Sequence, residues 1–261
     1  MPNFEKKPIY LYRHTHNGRT QIVPCTTSLM QMSDFQEASM LHKRVALGLG
    51  PEIFIPTSDD ELESLLGRKG LSVGVWHDRR LVCMRSVQTD REWVDDSLRK
   101  MGLGPDPEGR TAVTDHCIVD KEYRGNNIQF LTNYELESMI AENFDTITTT
   151  VAPMNVFSLQ NILNINFQIV GLDHRYGGYL RYTLVKRFRS DVSIWTNGHS
   201  IMPIRDLEGQ RRLLSQGCVG YKLKRMEFGF VIFYAPVGAT PPHATRRARQ
   251  YYHWAPHSAD C

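Results

Sequence analysis

Thr114 to Gln129, reading TDHCIVDKEYRGNNIQ, joins strand, turn and helix signals in one short stretch. A β-propensity run from Ala112 to Val119 carries a polar interruption at Asp115-His116 and leads into Arg124-Gly125. From Asn127 to Glu142, Ile128, Leu131, Tyr134, Leu136, Met139 and Ile140 recur at the spacing of an amphipathic helix. A strand turning through Arg-Gly into a helix N-terminus aims backbone N–H groups and the positive dipole end at one place. The segment therefore predicts an anion-binding turn suited to phosphate. Neither G-x-x-x-x-G-K-[ST] nor G-x-G-x-x-G is present, which excludes the usual P-loop and dinucleotide readings.

Upstream of this segment, Ile9–Tyr12 and Thr20–Val23 predict a hairpin, and Ser33 with Gln36 opens a helix to Leu47 ended by Gly48 and Gly50-Pro51. Ser58, followed by Asp59, Asp60 and Glu61, starts a second helix through Leu66. Leu71–Trp76 and Leu81–Val87 form an antiparallel pair about His77–Arg80, Asp90–Lys100 reads as helix and Gly102–Gly109 as loop. Downstream, the β-branched Thr146–Val151 predicts a buried strand, Asn155 caps a helix to Leu163, and Phe167–Leu172 pairs with Tyr179–Lys186. Beyond Ser190 a helix is expected within Ile201–Leu214 and a β-like aromatic run over Tyr221–Tyr234.

Hairpins at both ends break a uniform βαβ rhythm, so the fold class is α+β: a mixed, mainly antiparallel sheet with helices on its faces. Residues 1–189 form the core domain with its amino-terminal hairpin, 190–239 an appended α+β subdomain or extension, and 240–261 a basic and aromatic tail. Arg246, Arg247, Arg249, Tyr251, Tyr252 and Trp254 in that tail read as a terminus rather than a nucleic-acid-binding segment.

The 261 residues are 41% hydrophobic and 23% charged, the composition of a globular chain rather than a disordered or fibrous one. A net charge of +3 is too even for a whole-chain polyanion binder, so nucleic acid is not expected as a partner. Cys25, Cys83, Cys117, Cys218 and Cys261 show no paired spacing, which argues against a disulfide framework or a metal site and for a reducing compartment. Without an apolar signal region or a run near the roughly 18 residues of a membrane span, the expected setting is the cytoplasm, with no membrane partner.

Arg124-Gly125-Asn126-Asn127-Ile128-Gln129 resembles the [Q/R]-x-x-G-x-[G/A] turn of the GNAT (GCN5-related N-acetyltransferase) superfamily, preceded by the family-like Val119 and Tyr123. Asn127 stands where glycine is usual, and Asn tolerates left-handed geometry. Gln129 stands where a small residue is usual; its side chain either crowds a pyrophosphate or donates to it. A second block, Thr148 to Ser158 with N-x-x-S at Asn155–Ser158 and a helix ending at Asn166-Phe167, resembles the family's later strand and helix. With the hairpin of Phe167 to Lys186, the likeness covers about Ser28 to Arg187.

The resemblance implies acetyl-CoA or another acyl-CoA as donor, its pyrophosphate on the amides of Arg124 to Gln129. Pantetheine would lie between two diverging strands, beside Cys117, Ile118 and Val119 on one and Asn155 and Ser158 near the other. Family members often place a carboxylate base on the first strand and a tyrosine acid on the later helix; the matching positions here are Val113 and Ile162, which transfer no protons. Asp115 and His116 are the candidate replacements for the base, and Tyr176, in the loop Asp173–Gly178, is a candidate acid or pocket wall. His116 also reads as a hydrogen-bonded core histidine, and Cys117 as a small buried strand residue rather than a nucleophile.

Three functions stay open. One is direct acyl transfer from acyl-CoA to a small-molecule amine, with no metal. The second takes the acyl group from an acyl carrier protein, whose phosphopantetheine lacks the adenosine pyrophosphate and whose acidic surface suits Arg79-Arg80 and Lys186-Arg187-Arg189. The third is a non-catalytic binding module on the same fold.

Overall fold

The first hairpin joins β1 (Lys7–His14) to β2 (Thr20–Leu29) in continuous register from Lys7↔Thr27 to His14↔Thr20. The computed structural model describes residues 6–47, 49–67, 69–189, 192–194 and 199–239. A 3-10 turn at Met32–Asp34 enters α1 (Phe35–Ala46), and Ser58 caps α2 (Asp59–Leu66), accepting from Glu61 N at 3.2 Å while the Glu61 carboxylate takes Ser58 N at 3.0 Å. β3 (Gly70–His77) and β4 (Arg80–Gln88) follow, then α3 (Arg91–Met101), which starts on the Asp90 carboxylate and stops at Gly102 in left-handed geometry, φ 70°.

β5 (Thr111–Val119) leads through a 3-10 turn, Lys121–Tyr123, into α4 (Ile128–Ile140). β6 (Thr146–Val151), α5 (Val156–Asn164), β7 (Gln168–Arg175) and β8 (Tyr179–Arg187) complete the segment that carries the motifs. After it come β9 (Val192–Ile194), β10 (Ser200–Pro203), α6 (Leu207–Ser215), β11 (Cys218–Met226) and β12 (Gly229–Ala239).

Among the described residues the strands form one sheet in the order β1-β2-β3-β4-β5-β6-β8-β7-β11-β12-β10, with β9 paired to β12. Every neighbouring pair is antiparallel except β5 and β6. β4 is buried from Leu81 to Gln88, as a central strand covered on both faces must be. On one face Ala38, Leu41, Leu62 and Leu66 of α1 and α2 pack on Met84 and Ile118. On the other, Leu136 and Ile140 of α4 and Leu159 and Ile162 of α5 join Val87, Ala112 and Ile147.

The helix expected within Ile201–Leu214 occupies only its second half, and a strand precedes it. Pro203 holds the residue before it extended, so Ser200–Pro203 pairs with Val231–Tyr234 instead, and α6 starts only at the Asp206 cap, whose carboxylate accepts from Gly209 N at 2.8 Å. β11 meets β7 at the single pair Gly220↔Ile169, where a Cβ on residue 220 would come within 2.9 Å of the Ile169 side chain. Leu223, Ile232 and Tyr234 nevertheless belong to the same apolar cluster as Leu136 and Ile162. The tail 240–261 lies outside the described residues. No helix among them is long and apolar enough to cross a membrane.

The basic pairs singled out in the sequence are largely occupied. Arg80 donates to Asp120 at 2.6 Å, Lys186 to Glu137 at 2.6 Å, and Arg189 approaches Asp145 at 4.0 Å.

Candidate active site

β5 and β6 run parallel only through Thr111↔Thr146, Ala112↔Ile147 and Val113↔Thr148; past that point they part. On the other side of β5, Val87 pairs with Thr114 and Arg85 with Cys117, so Asp115 and His116 together stand opposite Ser86. This two-against-one arrangement is a β-bulge, which bends the strand and re-aims its side chains. The parting strands and the bulge open a cavity of about 540 Å³ lined from both faces of the sheet. Arg85 and Gln129 reach it from the α4 side, Thr57 and His116 from the α1 side, and Tyr176 from the β7–β8 turn.

At the far end of β5 the chain turns through Gly125, φ 86°, and Asn127, φ 55°, before α4 begins. Asn127 supplies the left-handed residue that glycine would otherwise provide. The N–H groups of Gly125 to Gln129 have no hydrogen-bond partner among the described residues, and a Cβ added to Gly125 would meet nothing within 4 Å. Five adjacent N–H groups without partners at a helix N-terminus fit an anion such as a pyrophosphate. A Gly125→Ala substitution should cost about 1 kcal/mol in backbone strain. It should also weaken binding of a pyrophosphate-bearing ligand by roughly tenfold; calorimetry at matched fold stability checks both.

The Asp115-His116 pair forms a dyad. His116 Nδ1 lies 2.6 Å from Asp115 Oδ2, and Gln88 Nε2 donates to the other carboxylate oxygen at 2.9 Å. Ser97 Oγ donates to Gln88 Oε1 at 2.8 Å, which fixes the Gln88 amide with its NH₂ toward Asp115. Burial pushes the Asp115 carboxyl up, but the hydrogen bond and charge of His116 and the Gln88 amide outweigh it, leaving it below the ordinary carboxylate value and ionised. An ionised partner at Nδ1 holds the proton there and leaves the Nε2 lone pair free. His116 Nε2 is buried and has no hydrogen-bond partner, the condition of a base kept for an incoming proton donor.

His42 closes the dyad from α1. Its Nε2 accepts from Thr57 N at 3.3 Å and its ring meets His116 edge-on, centroids 5.4 Å apart. Burial, aided by the neighbouring His116, lowers its pKa to about 4. The folded chain thus keeps His42 neutral where an unfolded chain protonates it. Stability should therefore fall as pH drops from about 6.5 to about 4. Thermal melts across that window, with His42→Gln flattening the slope by about one proton, check the sign.

Tyr176 adopts φ 51°, backed by Gly177 and Gly178 at 84° and 114°, and its hydroxyl lies 3.2 Å from Thr150 Oγ1. Burial raises its pKa, so it is protonated at neutral pH, as an acid must be. The parallel strand pair thus parts at a bulge, and a free-amide turn leads from β5 into α4. This topology is the mixed, mainly antiparallel sheet with flanking helices that the GNAT resemblance implies.

Solved structures similar to the chain include an N-acetyltransferase from Staphylococcus aureus Mu50, at 13% identity over 63% of this chain and 97% of that one, TM-score 0.48. The ribosomal-protein-S18-alanine N-acetyltransferase of Escherichia coli matches at 13% over 64% and 95%, TM-score 0.48. Arabidopsis thaliana NAA60, solved in complex with acetyl-CoA, matches at 13% over 62% and 98%, TM-score 0.49. No family model and no curated protein matches the sequence.

Within this fold the sequence-derived residues divide. Asp115, His116, Cys117, Gln129, Asn155, Ser158 and Tyr176 line one cavity. Ile118 and Ile128 turn their side chains into the core, Val119 packs beside Cys25 and Tyr123, and each leaves only its backbone for a donor. Asn126 ties the turn to β1, accepting from Tyr12 N and donating to Tyr12 O, both at 2.7 Å. Arg124 Nε donates to Val119 O at 3.4 Å. Asn155 Oδ1 caps α5 through Ser158 N at 3.2 Å, and Gln129 Oε1 takes Asn161 Nδ2 at 2.7 Å, joining α4 to α5.

Sequence reasoning missed Thr57, Gln88, Ser97, His42, Arg85 and Arg181. Arg181 anchors the loop over the cavity, donating to the carbonyls of Pro51 and Glu52 at 2.7 and 2.9 Å. A charged residue in the β-rich run Tyr179–Lys186 was the available signal for it. Among the described residues no cluster of metal-ligating side chains occurs.

Proposed function

We propose that this protein is an acyltransferase that moves an acyl group from a coenzyme A thioester to an amine by direct attack. The observation that carries the reading is the Asp115–His116 dyad, set by the bulge beside the parting strands and leaving a buried imidazole nitrogen unpartnered. The free amides of Gly125 to Gln129 would hold the donor's pyrophosphate, and the gap between β5 and β6 its pantetheine, by analogy with the family. His116 Nε2 would take the proton of the attacking ammonium, and Tyr176 would protonate the leaving thiolate.

Isothermal titration with acetyl-CoA, followed by thiol release in the presence of a panel of small amines, tests this. Saturable binding with amine-dependent release is the expected result. No binding at millimolar donor would overturn the coenzyme A reading.

The Gln129–Asn161 bond gives one reason to keep a carrier-protein donor in view, because it occupies the position that a small residue leaves open beside a pyrophosphate. Comparing rates from acetyl-CoA and from an acetylated carrier protein separates the two.

A further inference from the structure

Arg85 heads the fully buried side chains of the described chain by volume. Its Nη1 donates to Asn133 Oδ1 at 3.2 Å and its Nη2 to the Gln129 carbonyl at 3.3 Å, while Nε has no partner. No carboxylate among the described residues lies within ion-pair distance of it. It sits against the first turn of α4, the positive end of that helix, so the local field adds to its charge rather than offsetting it. A buried cation in such a place calls for an anion.

Directly across the β4–β5 ladder from Arg85 stands Cys117. The sequence alone suggests a buried strand residue there; in the structure Cys117 is only half-buried and lines the cavity with Arg85. We propose that, when no amine occupies the cavity, Cys117 is a covalent acyl-acceptor beside the direct route to the amine, its thiolate paired with the Arg85 guanidinium and attacking the carbonyl carbon of a thioester donor. This rests on the reading of the cavity as a thioester site.

The sulfur–carbon bond to Cys117 forms as the donor's carbon–sulfur bond breaks. The departing thiolate takes from solvent the proton that Cys117 gave up on ionising, so no oxidant or reductant enters. A hydrogen bond from Cys83, then the Arg85 charge and the Thr132 hydroxyl, oppose burial and bring the Cys117 thiol down to about 6, with His116 adding to the shift. Burial instead pushes Cys83 well up, and it raises Cys25 to about 11. Neither lines the cavity.

The test uses the intact chain without amine. Incubation with acetyl-CoA, or with the acetyl thioester of N-acetylcysteamine, which needs no pyrophosphate turn, should add one acetyl group that maps to Cys117. Hydroxylamine should remove it and Cys117→Ser abolish it. Iodoacetamide at pH 6.5 should modify Cys117 at least about tenfold faster than Cys218. An adduct from the small thioester alone would support Cys117 while discarding the coenzyme A reading. Absence of adduct from both donors despite calorimetric binding of acetyl-CoA, or alkylation of Cys117 no faster than Cys218, overturns the proposal.

Discussion

Replacing His116 by glutamine should lower kcat by about 10²–10³-fold while leaving the Kd for acetyl-CoA within about twofold. Glutamine approximates the reach of the imidazole and can still bond Asp115, so the bulge and the cavity should survive. What it lacks is a basic nitrogen at the position of Nε2. Asp115→Asn should cost a comparable factor for a different reason, since an amide NH₂ facing Nδ1 favours the tautomer with its proton on Nε2 and removes the acceptor. The measurement is steady-state thiol release with the best amine of a screened panel, alongside calorimetry for the donor. A His116→Gln enzyme keeping more than a tenth of the parent kcat would remove the imidazole from the chemistry.

Gln210→Leu should destabilise the fold by roughly 3–5 kcal/mol, because two buried phenols and a half-buried carbonyl lose their partner at once. Gln210 is fully buried; its Oε1 accepts from Tyr182 at 2.7 Å and Tyr234 at 2.9 Å, and its Nε2 donates to the carbonyls of Pro203 and Ile204 at 3.0 Å each. Leucine would leave two buried phenols without their acceptor and the half-buried Ile204 carbonyl without this donor, while the Pro203 carbonyl keeps Asp206 N. The three side chains come from α6, β8 and β12, so the loss should appear as one shifted unfolding transition. Denaturant titration followed by both fluorescence and far-ultraviolet dichroism checks it. Two separate transitions, with only one displaced, would show that the carboxyl-terminal elements fold apart from β8.

Elements with a local cause were legible from the residues. Ser58 and Asp90 announce helix starts, Gly102 a helix stop, and the β-branched run at Thr146–Val151 a strand, because caps and side-chain shape act within a few residues. The candidate base was legible as a polar break, Asp115-His116, in an apolar run. Its geometry was not, because the bulge exists only relative to Ser86 on the neighbouring strand.

Thr57, Gln88 and Ser97 complete the dyad's hydrogen bonds from segments far away in sequence, and no periodicity points at them. The helix expected within Ile201–Leu214 forms, but only in its second half, and the reason is related. Met202, Ile204, Leu207, Leu213 and Leu214 all pack against one core, and their spacing across Pro203 mimics a single apolar face although a strand and a helix share it.

The placement of β12 bears on the order in which the chain acquires its structure during synthesis. Ile232 and Tyr234 lie on the last described strand, yet they belong to one apolar cluster with side chains of α4, β6 and α5 that leave the ribosome much earlier. Much of that cluster is therefore made before its last members exist. Until Gly229–Ala239 emerges, the nascent chain carries an uncovered apolar surface, so slow translation of that stretch would lengthen its dependence on holding chaperones.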